Sequence, residues 1–254
     1  MRAIIIMFAT YSRIPMPRVE WDERSRRKAI CAFPLVGVVI GLILLGLLKA
    51  GSVLGIPTAA LSCLMIAAPV LVTGGIHLDG FVDTSDARSS YAEKEEKLRI
   101  LKDPHVGAFG VIRLVLYLLL AFAGIEILMS RQMSGRAMFA ACLIPVLSRI
   151  CSGLAAELLP KARKEGMLAD MVGENTQKEN VRVLAAELVL CAALLLAAPL
   201  PAFLILAAQA CLAWYYRRMA LRGFGGVTGD LAGWYLCMSE LAGIWAFVIA
   251  GWII

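Results

Sequence analysis

The chain has 254 residues, of which 60% are hydrophobic and 17% charged, with a formal net charge of +6 and a mean hydropathy of +0.79. A soluble domain is nearer half apolar and one quarter charged, so this composition excludes an ordinary soluble fold and points to an integral membrane protein. The basic residues form no patch with interleaved aromatics, which argues against nucleic acid as a partner.

In chain order, the first element is "AIIIMFAT" (3–10), apolar but too short to span. It is expected to act as an interfacial anchor. No basic stretch precedes a long apolar core and no small-residue cleavage site follows, so it does not read as a removed signal peptide. "YSRIPMP" (11–17), with Arg13, comes next. A hydrocarbon core of ~30 Å needs about 20 apolar residues per helix. Seven spans are predicted near 33–54, 59–76, 108–129, 137–159, 183–199, 200–216 and 231–254. None shows the alternation of a barrel strand, so each is a helix. The fifth and sixth meet at "APLPA" (198–202), which is either a hairpin turn or a break within one long element. The expected fold is all-α: a polytopic helical bundle forming a single membrane domain over 1–254.

Loop charges orient the bundle. Segments 1–32, 77–107, 160–182 and 217–230 hold twenty of the 25 Lys and Arg, whereas the opposite loops hold Lys49, Arg131 and Arg136. The positive-inside rule therefore puts the N-terminus in the cytoplasm. Anionic lipid is a natural contact for such loops. The seven cysteines show no CxxC and no paired ligand spacing, and they read as small buried hydrophobes.

The end of the second span carries the chemistry. "GGIHLDGFVDTSDA" (74–87) places Asp79, Asp83 and Asp86 directly after a charge-free stretch, 59–74. Four residues along a helix turn about 40° past one revolution, and seven fall about 20° short of two. A helix would thus stack the three carboxylates on one stripe of about 60°, with His77 pointing elsewhere. Three like charges beside a low-dielectric region need a cation or a proton to coexist. Mg²⁺, a hard ion that takes oxygen ligands and keeps sites for water or phosphate, fits them. The bland alternative is a solvated helix start with Thr84 and Ser85 as caps. Gly74, Gly75 and Gly80 suggest a turn or a close backbone approach beside the acids.

Further groups gather on the same side. "RILKDPHVGAFG" (99–110) brings Arg99, Lys102, Asp103 and His105 to the start of the third span, where Gly107 and Gly110 open a helix that could face an anion. "GFGGVTGDLAGW" (223–234) brings Thr228 and Asp230 to the mouth of the last span. Glu240 and Arg149 lie inside spans, where an ionisable group is a functional candidate by default, and they are expected to pair or to meet a phosphate. Arg113, Glu126, Glu157 and Glu187 are further charges within spans. Carboxylates, glycine loops and cations together are the equipment of Mg²⁺-dependent phosphoryl transfer.

These segments resemble the cobalamin synthase family, also called adenosylcobinamide-GDP ribazoletransferase. The resemblance rests on "GGIHLDGFVDTSDA", "KLRILKDPHVGAFG" (97–110), "GFGGVTGDLAG" (223–233) and "YSRIPMP", in matching order along essentially the whole chain. It implies a Mg²⁺-dependent membrane enzyme of a bacterial or archaeal cytoplasmic membrane, with its active site facing the cytoplasm. The implied reaction joins adenosylcobinamide-GDP and α-ribazole, or its 5′-phosphate, with release of GMP. On that reading Asp79, Asp83 and Asp86 are metal ligands, and Lys102 or Arg99 stabilises the leaving group. Asp103 or Asp230 orients or deprotonates the attacking hydroxyl, and His77 is a base or a supporting partner. Arg13, Gly107, Arg149, Thr228 and Glu240 contribute to substrate binding. The other classes weighed are a different Mg²⁺-dependent membrane phosphotransferase, a prenyltransferase, and a transporter. A transporter would not need its acids clustered at one membrane face. Oligomeric state is left open.

Overall fold

The computed structural model describes residues 1–131, 133–163 and 165–253, and the side chain of Glu174 is not described. Helices carry the chain throughout: α1 (Arg2–Tyr11), α2 (Glu23–Lys28), a 3₁₀ turn (Ala29–Ala32), α3 (Phe33–Leu54), α4 (Thr58–Thr73), α5 (Ile76–Ser89), α6 (Lys94–Ile100), α7 (Ala108–Ser130), α8 (Gly135–Cys142), α9 (Ile144–Leu158), α10 (Met167–Met171), α11 (Glu174–Leu195), α12 (Pro199–Phe224) and α13 (Gly229–Ile253). Among the described residues the only strand-like pairing is an isolated parallel bridge between Lys161 and Val227.

Five stretches are long and apolar enough to cross a membrane: Glu23–Leu54, Ala108–Ser130, Gly135–Leu158, Pro199–Phe224 and Gly229–Ile253. A sixth is the pair α4 and α5, which qualifies only when taken together and is bent by 96°. The protein is therefore a polytopic membrane helical bundle. The two predicted spans that fall short, 59–76 and 183–199, do so for different reasons. Helix α4 alone has 16 residues, about 24 Å at 1.5 Å per residue. Helix α11 has 22 residues, but it starts nine residues earlier than the predicted span and opens with the polar run ENTQKEN.

The stretch 183–216 resolves as a helical hairpin that turns over residues 196–198, just before Pro199 opens α12. The start of α11 is held at one end of the bundle, where Asn180 donates to Arg27 O at 2.7 Å and Lys28 pairs with Glu179 at 2.6 Å. The end of α12 returns to that end, since Val227 N–H donates to Pro160 O at 2.8 Å. The turn itself packs at the opposite end, where Leu195, Ala198 and Ala202 join Leu128, Ala140 and Ile144 in one core cluster. At that far end Thr58 also donates to Glu126 at 2.6 Å. Helix α1 packs one face on the protein. Its Ile6, Met7 and Phe8 are buried against Ala29 and Phe33.

Two glycines decide where the site lies. Gly74 and Gly75 have φ of +67° and +82°, a left-handed region that costs other residues about 1–2 kcal/mol each. Together they end α4 and turn the chain so that α5 leaves the direction of the span. Helix α5 then lies across the beginnings of α7 and α13. Gly80 permits that crossing, because a Cβ there would stand 2.8 Å from the Asp230 Cα. Gly233 repeats the fit from the other side, with a Cβ position 2.9 Å from His77 O.

Candidate active site

Helix α5 is continuous over Ile76–Ser89, so Asp79, Asp83 and Asp86 do share one stripe. Asp79 is exposed, Asp83 and Asp86 are half-buried, and His77, Phe81, Thr84 and Ser85 are buried on the other side. Thr84 and Ser85 are not caps; they lie mid-helix, and neither hydroxyl oxygen has a partner. The close crossing at Gly80 adds a fourth carboxylate, Asp230, to the group. Burial, followed by the charges of Asp79, Asp230 and Asp86, pushes the Asp83 carboxyl up to about 6. A carboxyl raised by three neighbouring acids marks a place short of positive charge. Among the described residues no three His, Cys, Asp or Glu side chains converge tightly enough to enclose an ion by themselves. The stripe is instead an open, all-oxygen donor surface.

Asp86 has a second role. Its Oδ1 accepts from Gly110 N–H at 3.2 Å, and its carboxylate occupies the place a Cβ on Gly107 would take. The anion at the start of α7 is thus this chain's own side chain. Gly107 is needed to admit it, which accounts for the glycine without a substrate contact.

The cations opposite Asp79 come from the loop at 160–163, which carries no motif. A cavity of about 200 Å³ is bordered by Asp79, Asp230, Thr228, Lys161, Arg163 and His77, among others. Residues 160–163 are pinned there by the bridge to Val227, with Ala162 N–H donating to Val227 O at 2.9 Å. Gly226 allows the pairing, since a Cβ would collide with Pro160 O. Lys161 donates to Ala169 O at 3.3 Å, and Arg163 donates to Leu98 O. No sequence signal marks these two cations, because a bridge of two residues has no periodicity to detect. Thr228 caps α13, accepting from Leu231 N–H at 3.2 Å, and so fixes the helix start that carries Asp230.

The remaining predicted residues have separate settings. Arg99 and Lys102 border a shallower cavity of about 460 Å³ that shares Arg163 and Glu165 with the Asp79 cavity, so the two adjoin. Arg99 also pairs with Glu96 at 2.8 Å. Asp103 is exposed and is held by His105, whose backbone N–H donates at 2.9 Å; this pair keeps the carboxyl below its usual range. Arg13 is exposed and folds its stem over Gly74, while its N–H donates to Val72 O at 2.7 Å. His77 is stacked on Tyr11 at 5.7 Å and tilted against Phe33 at 5.6 Å. Burial first, and then the nearby Arg149 charge, hold its imidazole well below the ordinary range. Its Nε2 is buried without a hydrogen-bond partner.

Arg149 and Glu240 pair as expected, at 2.8 Å, with side-chain exposures of 1% and 13%. Arg149 also donates to Pro145 O at 2.8 Å and lies 5.7 Å from the centre of the Phe33 ring. The pair borders an apolar cavity of about 110 Å³ inside the bundle, on which His77 also abuts.

The sequence model described as "Cobalamin-5-phosphate synthase" matches residues 3–248. A protein of Lachnoclostridium phytofermentans named "Adenosylcobinamide-GDP ribazoletransferase" is 38% identical over 256 residues, covering 100% of this chain and 96% of its own. Proteins of the same name from Clostridium perfringens strain SM101 and Pseudomonas savastanoi pv. phaseolicola are 34% and 36% identical, covering 96% and 91% of this chain and 96% and 90% of their own. No solved structure matches the chain.

Proposed function

Because the chain belongs to the cobalamin-5-phosphate synthase family, we propose that it joins adenosylcobinamide-GDP to α-ribazole or its 5′-phosphate. The reaction releases GMP and yields adenosylcobalamin or its 5′-phosphate. A free ribose hydroxyl of the acceptor, not its 5′ oxygen, attacks the phosphorus next to the cobinamide. The P–O–P bond breaks, GMP leaves with the bridging oxygen, and the hydroxyl proton passes to a base. The observation that carries the reading is the carboxylate stripe of α5, whose Asp79 end borders one cavity with Asp230, Lys161 and Arg163 and whose Asp83 feels the charge of Asp230.

Mg²⁺ suits this donor set, because the ligands are hard oxygens and the open surface leaves positions for water and phosphate. Asp79, Asp83 and Asp86 would hold the ion, with Asp230 alongside; when bound it would neutralise the pyrophosphate. Lys161 and Arg163 then stand where charge develops on departing GMP, a task that Lys102 and Arg99 share from the adjoining cavity. Asp230 is better placed than Asp103 to take the hydroxyl proton, because it shares the cavity with Asp79. The charge distribution supports a cytoplasmic site in a multi-pass cytoplasmic membrane protein.

The test is GMP release from adenosylcobinamide-GDP and α-ribazole by purified protein in lipid. Turnover should stop with EDTA and resume with Mg²⁺. Release that survives metal removal would overturn the metal assignment, and absence of release under all conditions would overturn the activity.

A further inference from the structure

A second charged cavity, of about 380 Å³, lies at the end of α12 and has no part in the proposed reaction. Arg88, Lys97, Arg218 and Arg222 border it with Trp214 and Tyr215, and no acid does so among the described residues. The cations are organised by the aromatics. The Arg88 guanidinium lies 4.8 Å from the Trp234 ring centre and donates to Tyr215 Oη, while Arg218 lies 4.8 Å over Trp214. On α5, Arg88 follows Asp83 by five residues, about 140° around the helix. The pocket therefore opens on the side of α5 away from the carboxylate stripe.

What lies next to the pocket identifies its occupant. At about 100° per residue, Trp214, Arg218 and Arg222 fall on one face of α12, and Phe203, Ala207, Ala210 and Cys211 continue that face toward the other end. This continuation is uncharged and exposed, with Phe203 69% and Trp214 60% accessible. Phe203 to Trp214 covers about 16 Å, the length of an acyl chain. An acyl-sized apolar strip thus leads up to an aromatic pair and then to a cluster of cations. Trp and Tyr favour the headgroup level of a bilayer, and Lys and Arg just beyond it attract anionic lipid. A free nucleotide or phosphate would satisfy the cations but would have no use for the strip below them.

The geometry points to a specific site for an anionic phospholipid, its phosphate held by Arg88, Lys97, Arg218 and Arg222 and its acyl chain laid along α12. The site belongs to the leaflet on the side of the carboxylate stripe. Through Arg88 it touches the helix that carries those carboxylates.

The full chain would be reconstituted in nanodiscs of mixed phosphatidylcholine and phosphatidylglycerol, and retained lipid would be counted by native mass spectrometry. Wild type should enrich phosphatidylglycerol. Enrichment should fall about fivefold in Arg218→Gln or Arg222→Gln, and roughly twenty-fivefold in the double variant. Arg136→Gln, at the opposite end, should match wild type. A photoreactive phosphatidylglycerol on wild-type protein, which needs no variant to fold, should cross-link within residues 214–224. Equal retention of both lipids by wild type, undiminished enrichment in the double variant, or cross-links only elsewhere would overturn the assignment. Displacement of the lipid by inorganic phosphate would mean that the pocket takes a soluble anion instead.

Discussion

Three aspartates on one stripe of α5 are not equivalent. Asp79 is exposed, so Asp79→Asn should fold with an unchanged melting temperature and lose at least about a hundredfold in GMP release, the order seen when a charge-stabilising group is removed. Asp86 also caps α7 through Gly110 N–H. Asp86→Ala should therefore lose comparable activity and lower the melting temperature as well, by an amount reflecting about 1 kcal/mol. Asp83 should behave in the opposite sense. Its carboxyl is raised from 3.8 to about 6 by burial and by Asp79, Asp230 and Asp86, so folding favours its protonated form. Metal-free protein should be most stable below 3.8 with respect to this group and lose stability as pH climbs to about 6. Asp83→Asn should lack that fall and melt higher than wild type at neutral pH. Thermal melts across pH in EDTA decide it; a wild-type profile retained in Asp83→Asn would dissociate Asp83 from the repulsion. The stripe was legible in the sequence because helical periodicity alone stacks these positions. The cap on α7 was not, because its donor and acceptor are 24 residues apart.

At the level of elements, the bend at Gly74 and Gly75 is what converts an apolar hairpin arm into a site. An alanine at either position would hold a Cβ in the left-handed region, at a cost of about 1–2 kcal/mol, and at Gly74 it would also displace Arg13. Gly74→Ala and Gly75→Ala should reduce GMP release more than they reduce membrane insertion, because the damage lies in how α5 is aimed. Insertion can be scored from yield in the membrane fraction and activity in lipid; equal losses in both would mean that the bend serves assembly alone. The sequence suggested a turn or a close approach for these glycines, and both occur. Gly74 and Gly75 make the turn and Gly80 the close approach, but which glycine does which depends on where α13 passes.

For the whole molecule, the buried pair of Arg149 and Glu240 ties α9 to α13 at 2.8 Å. Removing one partner of a buried ion pair leaves the other uncompensated, at about 3–5 kcal/mol. Arg149→Leu and Glu240→Leu should each lower folded yield, and the double variant should recover part of it. Singles with wild-type yield would show the charges to be incidental. Topology gives a second expectation. In a cysteine-free background, cysteines placed near 95, 170 and 225 should react with an impermeant thiol reagent only in inverted vesicles. Cysteines near 56 and 133 should react in intact spheroplasts. The hairpin of α11 and α12 requires position 225 to side with 95, and labelling of 225 from outside would refute it.

Composition and hydropathy by themselves determined that the chain is a membrane helical bundle. Solvent transfer of apolar runs is a property of the runs, whatever their neighbours. Spacing alone also set the carboxylate stripe, since a helix fixes its own azimuths. Only the tertiary structure decided what faces that stripe. Asp230 arrives because α13 crosses at Gly80, and Lys161 and Arg163 arrive because Gly226 lets their loop pair with Val227. Those placements depend on backbone approaches between segments far apart in sequence. They leave no mark in local periodicity, because the contact that selects each glycine belongs to a different element.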